Sequence, residues 1–406
     1  MQITNSRTLL ILFLPQEWEI YHRRPHWEAL AAHSRILLVE PPAGILTVWL
    51  RPKRLLNYYI KDRNLRKSGR NLYFFRPIQL ASPGIDFLLP FLSGLDRIWM
   101  RRQLQQVLNK IKGEFDIAVT FINQVQQHHF SKTIPHSLQC YEITDLYVIP
   151  YGHHQLDESH WYTKRARSYD KKILSDSDLV ITSSKLIYDN LKTPVGNIHY
   201  LHNSADYNHF VKSAGADLTV PEDLQNLKKP ILGFIGYINH LIDYELLTKL
   251  AVAFRDGSLV LIGGEQKITK VHNDTWYQKT KIIENIHYLG FKDYRQLPAY
   301  LKGFDVCLMP FRLNDWMRYS APNKTYQYLA SGKPVVSTNF PEMENVKKVV
   351  LVAGDHEEFV NLVQGALNDK SEIKKAERQK VALENSTENR AIKMTNILSD
   401  FLKQGS

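Results

Sequence analysis

The sequence predicts an α/β protein built from two doubly wound, Rossmann-like domains facing each other across a cleft. Short apolar runs alternate with amphipathic, helix-period stretches along almost the whole chain, the pattern of parallel sheets covered on both faces. The pattern restarts after a polar, Lys- and Asp-containing stretch at 212–229. The 406 residues are enough for two or three domains at about 100–200 residues each.

In the first half, strands are expected at 9–14, 36–39, 71–75, 117–121, 139–142, 179–182 and 198–201. Each is a short run dominated by apolar or aromatic residues. Helices are expected at 25–33, 95–112, 158–175 and 184–191, where apolar residues recur every three or four positions. In the second half, strands are expected at 231–235, 259–262, 286–289, 306–309, 335–337 and 349–352. The helices between them fall at 243–254, 294–302, 322–331 and 357–367, and the charged stretch 371–403 is helical in period. The expected division is 1–212 for an N-terminal domain and 213–385 for a C-terminal domain. A final helix at 386–406 would pack back on the first domain.

Composition narrows the class. Hydrophobic content of 44% and charged content of 23% exclude a disordered or fibrous chain. Two distant cysteines, Cys140 and Cys307, exclude a disulfide scaffold and any Cys-based zinc motif, and they suit a reducing compartment. The apolar run at 8–14 stops at Pro15, is too short to span a membrane and lacks a cleavage-site pattern, so a buried strand is expected. The expected location is the cytoplasm, with peripheral contact to the inner face of the plasma membrane. The net charge is +11, and 51–112 alone carries 14 Lys and Arg against Asp62, Asp86 and Asp96. Apolar and aromatic residues lie among these cations, which suits an anionic membrane surface or a lipid-diphosphate acceptor. No RNA- or DNA-binding motif accompanies the charge, so nucleic acid is not expected.

Chemistry concentrates in three places. The first is Arg318-Tyr319-Ser320-Ala321-Pro322-Asn323-Lys324-Thr-Tyr-Gln327, which runs on to Gly332 and Pro334. Pro322 suits a first helical turn, Ser320 is the expected cap, and Gly332 the expected stop. A helix N-terminus there offers free N–H donors and partial positive charge to a diphosphate, with Lys324 adding a point charge and Gln327 an amide for sugar hydroxyls. The competing reading is an ordinary crossover helix with surface Lys and Gln. The second place is Glu142 and Asp145, at the carboxyl end of a strand, where ligands of open parallel sheets bind. A carboxylate there can take a proton from an attacking hydroxyl, or Asp145 can simply cap a turn. The third is Trp18 to Trp27, with His22 and Arg23 as candidates for contact with an anion. Asp176 and Asp178, the only Asp-x-Asp, precede a strand and read as a polar turn, so no metal is expected.

The segment Pro322-Asn-Lys324-Thr-Tyr-Gln327-Tyr-Leu-Ala-Ser-Gly332-Lys-Pro334-Val-Val336 resembles the P-x-K-x-x-E-Y-x-A-x-G-x-P-V-V segment of GT-B glycosyltransferases, family 4-like, of bacterial polysaccharide and teichuronic acid type. Gly233-Phe-Ile-Gly236-Tyr237, Leu259-Val-Leu-Ile-Gly263, Asn285 to Gly290 and Phe304 to Pro310 are similar to the strand motifs around it. The resemblance implies transfer of a hexosyl or glycuronosyl group from a nucleotide-diphosphate sugar to a glycan or lipid-linked acceptor, with no metal and no cofactor beyond the donor. It implies donor contacts from Gly236, Tyr237, Arg318, Tyr319, Ser320, Ala321, Lys324 and Gln327. Tyr319 and Gln327 stand where the family carries two glutamates, a departure that leaves a non-catalytic GT-B scaffold open, as the fold leaves a sugar-nucleotide epimerase. Xanthan-type glucuronosyltransferases have a similar Lys-x-x-Gln arrangement and a similar Tyr-x-x-x-Asp, which implies Asp145 as base with Glu142 as second choice. His22 and Arg23 lie beside the family's Arg-Pro pair, here Arg24-Pro25.

Overall fold

A computed structural model of the chain describes residues 8–18, 21, 23–44, 65–69, 71–80, 90–111, 113, 115–132, 134, 138–149, 153, 155–266 and 271–404. The strands are β1 (Thr8–Phe13), β2 (Arg35–Val39), β3 (Ala43–Gly44), β4 (Arg66–Ser68), β5 (Leu72–Phe75), β6 (Ile78–Gln79), β7 (Ile117–Ile122), β8 (Leu138–Ile143), β9 (Leu179–Thr182) and β10 (Ile198–Tyr200), then β11 (Ile231–Ile235), β12 (Ser258–Ile262), β13 (Ile286–Gly290), β14 (Val306–Met309), β15 (Val335–Thr338) and β16 (Leu351–Ala353). The first sheet runs β10-β9-β8-β7-β1-β2-β5-β4 and is parallel except for β4, and the second runs β13-β12-β11-β14-β15-β16, all parallel. The longer helices are α1 (Arg24–Ala31), α2 (Pro90–Lys110), α3 (Trp161–Asp176), α4 (Lys185–Val195), α5 (Tyr244–Ala253), α6 (Leu297–Gly303), α7 (Lys324–Ser331), α8 (His356–Leu367), α9 (Glu372–Glu384) and α10 (Thr387–Gln404).

The period of two along β1 explains the layering. Leu9, Ile11 and Phe13 enter one core with Met100, Leu104 and Val107 of α2, while Leu10 and Leu12 enter another with Trp27 and Leu30 of α1. That second core is completed by Ala391, Met394 and Leu398 of α10, so the last helix closes the first sheet's outer face. The second sheet has its own core, in which Leu259, Leu261, Val306 and Val336 meet Leu246 and Leu250 of α5 and Phe359 of α8.

Several boundaries differ from expectation for identifiable reasons. The stretch 371–403 divides into α9 and α10 where Ala205 pairs with Ser386: the Ala205 N–H bonds Asn385 O at 3.3 Å and its carbonyl accepts from Thr387 N at 3.0 Å. The helix expected from 322 starts at Lys324, and Ser320 does not cap it; Ser320 instead ends a short helix, Asp315–Tyr319. The short helix Thr275–Thr280, capped by Asp274, was not expected. The polar stretch 212–229 carries a buried anchor, Leu224, that fills the space beside Gly303. Cys140 and Cys307 are both buried and free, and burial raises both thiol pKa values. Among the described residues, no helix is long and apolar enough to cross a membrane.

His128 and His129 are buried behind β7, and His128 stacks on Tyr169 at 3.5 Å between ring centroids. Burial pushes His128 down to about 4 and His129 to about 3. Both are therefore neutral in the folded protein at pH 6, whereas the unfolded chain protonates them below about 6.5. Stability must fall as pH drops below 6.5, by about 1.4 kcal/mol per pH unit for each such histidine. Thermal unfolding between pH 7 and 5 should show this loss, and His128→Phe, which keeps the stack, should flatten part of the slope.

Candidate functional site

In both sheets the parallel strands end at one edge, and the two edges meet. The β8 edge carries Glu142 and Asp145, and the segment after β1 carries Arg23. Opposite them lie Gly236, just past β11, and the segment 310–324 between β14 and α7. Several hydrogen bonds cross between the two halves. Ser320 Oγ lies 3.3 Å from Asp145 Oδ1, Leu156 N donates to Asp315 Oδ2 at 3.0 Å, and Asn203 Nδ2 donates to Ala321 O at 2.5 Å. Tyr200 Oη donates to Glu342 Oε1 at 2.7 Å.

On the second domain the central group is Lys324. Its ammonium lies 4.0 Å from the ring centroid of Phe234 and 4.8 Å from that of Phe311, and no acceptor among the described residues is within hydrogen-bonding distance. Burial pulls its pKa down to about 7. The chain permits this placement because residue 236 is glycine: its φ is +156°, and a Cβ there would come within 2.3 Å of Nζ. Gln327 lies one turn along α7 and lines a small cavity with Arg23, His26, Asn203, Asp206 and Asn323. Asn323 Oδ1 is buried without a partner among the described residues. An unpaired, desolvated ammonium at a parallel-sheet edge is a receptor for an anion.

On the first domain, burial raises Asp145 to about 6, and the Ser320 hydroxyl and the Arg23 charge partly oppose that rise. Glu142 behaves oppositely. It has no exposed surface, and both oxygens are occupied: Arg23 Nη2 and Arg390 Nη2 on Oε1 at 2.6 and 3.0 Å, Arg23 Nη1 on Oε2 at 2.8 Å. Burial alone would raise its pKa, but the two guanidiniums overcome that and hold it at about 2. The second-choice assignment of Glu142 as base is therefore corrected: it anchors cations and does not reach a substrate. Arg23 pairs with Glu142 through both terminal nitrogens and also lines the cavity beside Gln327.

The remaining expected residues divide. Ser320 and Ala321 are buried at the meeting of the domains, and Tyr319 packs against the first domain's core. Tyr237 and Arg318 are exposed, at 66% and, for the Arg318 side chain, 63%. Arg312, between β14 and α7, is tied to Asp274 at 2.5 Å. His22 lies outside the described residues. Asp176 bonds Ser131 and Asp178 bonds the backbone of Gln139, both within the first domain. Sequence reasoning missed Arg390, which sits in a charged tail that reads as solvated surface, and gave His26 no role although it lies in the Trp18–Trp27 stretch.

Two parallel sheets with ligand-facing edges across one cleft, an anion receptor on the second and a carboxylate on the first, define the GT-B architecture of sugar-nucleotide enzymes. Residues 229–369, in the second domain, match the family described as Glycosyl transferases group 1. A Bacillus subtilis (strain 168) protein named as the teichuronic acid biosynthesis glycosyltransferase TuaH is 26% identical over 223 residues, which are 53% of this chain and 55% of the relative. The chain thus matches about half the length of that relative. Among solved structures, sucrose-phosphate synthase from Thermosynechococcus elongatus superposes with a TM-score of 0.67 at 15% identity, covering 99% of this chain and 100% of that one. The Anabaena protein Alr3699/HepE in complex with UDP gives 0.59 at 13% identity, covering 97% and 100%. At these identities the solved structures establish the shared fold.

Anion binding should follow the protonation of Lys324. The charged form binds, so affinity for a nucleoside diphosphate should fall as pH rises above about 7, by up to tenfold per unit. Titration calorimetry from pH 6.5 to 9 checks this, and Lys324→Met should abolish the dependence and weaken binding about 10- to 100-fold.

Proposed function

We propose that the chain is a glycosyltransferase that moves a hexosyl or glycuronosyl group from a nucleotide-diphosphate sugar to a glycan or lipid-linked acceptor in surface polysaccharide synthesis. The observation that carries this reading is the contact of Ser320 with Asp145, which brings the Lys324 edge of one domain against a carboxylate of the other. Lys324 and the backbone beside Gly236 hold the diphosphate, and Gln327 bonds sugar hydroxyls. Asp145 takes the proton of the acceptor hydroxyl as its oxygen bonds the anomeric carbon. The bond from that carbon to the diphosphate breaks, and the diphosphate leaves with the electron pair onto the Lys324 ammonium. The protein's own cation thus meets the developing charge, and the proposed chemistry is metal-independent. The family match and the curated relative favour transfer over the epimerase and scaffold readings.

Asp145→Asn should lower kcat about 10²- to 10⁴-fold while leaving donor affinity within a few-fold. The parent's kcat/KM should rise with pH through about 6, since the base acts only when ionised. Turnover in Asp145→Asn and Lys324→Met equal to the parent's, measured with a panel of nucleotide-sugars, would defeat the assignment.

The proposed acceptor side faces an anionic membrane. Much of 51–112 lies outside the described residues, including Arg51, Lys53, Arg54, Lys61, Arg63, Arg70 and Lys112. Of the described cations there, Arg66 pairs with Glu40 at 2.6 Å. Arg97, Arg101 and Arg102 are exposed on α2 beside Leu95 and Ile98, each 55% exposed. Flotation with anionic liposomes at low salt should retain the protein, and the triple change of these arginines to Gln should weaken retention.

A further inference from the structure

The Glu142 cluster is out of charge balance. Two guanidiniums, Arg23 and Arg390, meet one carboxylate. The third neighbour, His26, adds no charge. Burial and the two arginines push it well below its ordinary value, and its Nε2 accepts from Arg390 Nη1 at 2.7 Å. Tyr21, buried in the same place, and the half-buried Tyr147 are held neutral by desolvation. Arg390 Nε donates to His202 O at 2.8 Å, which neutralises nothing. One positive charge is therefore left over where water is largely excluded.

Asp145 follows Glu142 by three residues on the same strand end. The groups that face it are Arg23 from the segment before α1, Tyr147 from its own loop and Ser320 from the second domain. Ser320 Oγ also lies 3.0 Å from Trp316 O, so its single hydrogen is shared and cannot alone hold an anion. The surplus charge of the cluster is what an ionised Asp145 can balance.

We propose that Arg390 and Glu142 are positioning residues for Asp145: the net positive charge of the Arg23–Glu142–Arg390 cluster keeps the Asp145 carboxylate ionised in a desolvated cleft. Arg390 acts through Glu142 and Arg23, and it reaches the site from the last helix of the chain. The role rests on Asp145 being the base. The electrostatic coupling can be measured without turnover.

Two neutralising changes in one cluster should have opposite effects. Glu142→Gln leaves a surplus of two and should lower the Asp145 pKa by about one unit, a tenfold change in ionisation. Arg390→Met leaves a neutral Arg23–Glu142 pair and should raise it by about one unit. Arg390→Lys keeps the charge and should titrate like the parent. The measurement is carboxyl-carbon NMR of aspartate-labelled full-length protein, with the Asp145 signal assigned by its loss in Asp145→Asn. Loosened packing would admit water and lower the value in every variant, so a downward shift in Arg390→Met, or no shift in either neutral variant, overturns the proposal. Arg390→Gln serves as a second neutral variant if the Met protein does not unfold cooperatively. Normal transfer by Asp145→Asn would defeat the base assignment separately, because the NMR shifts do not depend on turnover.

Discussion

The first domain is organised around one carboxylate that water cannot reach. Glu142 is at the end of β8, and its partners come from the start of α1 and from the first turns of α10. Removing Glu142 would leave two buried guanidiniums uncompensated, which costs about 3–5 kcal/mol. The arrangement therefore fixes three distant stretches of chain, near residues 23, 142 and 390, at one point of the cleft wall. The same loop then delivers Asp145 to the cleft, so the constraint that orders the wall also orders the reactive group.

The second domain solves a different problem with less charge. Lys324 has no carboxylate partner among the described residues and rests on two aromatic faces, an arrangement that tolerates desolvation of an ammonium. The cost is a weakened hold on its proton, and the benefit is a cation not already committed to the protein. Arg23 and Arg312 show the contrast: both are cations near the site, and both are spent on internal carboxylates. Charge near a cleft is not the same as charge available to a ligand.

Much of this was legible in the sequence. Alternating apolar runs identified the strands because parallel strands are buried on both faces, and the spacing from Lys324 to Gly332 identified α7 because a glycine with φ of +74° ends it. What was not legible depended on contacts between residues far apart. Glu142 and Asp145 are chemically alike and three positions apart, and only the arrival of Arg23 and Arg390 separates an anchor from a proton acceptor. Ser320 read as a helix cap because Ser before Pro suits one, whereas the backbone bends there and turns the hydroxyl across the cleft.

The return of α10 to the first sheet has a consequence for how the chain acquires its shape. Leu10 and Leu12 are among the earliest described residues, and their core is completed by Ala391, Met394 and Leu398. During synthesis the outer face of that sheet emerges long before the helix that covers it. The second domain, whose core draws on a nearly continuous stretch, can fold first. The amino-terminal domain must wait with apolar surface uncovered, a period in which chaperone binding and aggregation compete with completion of the fold.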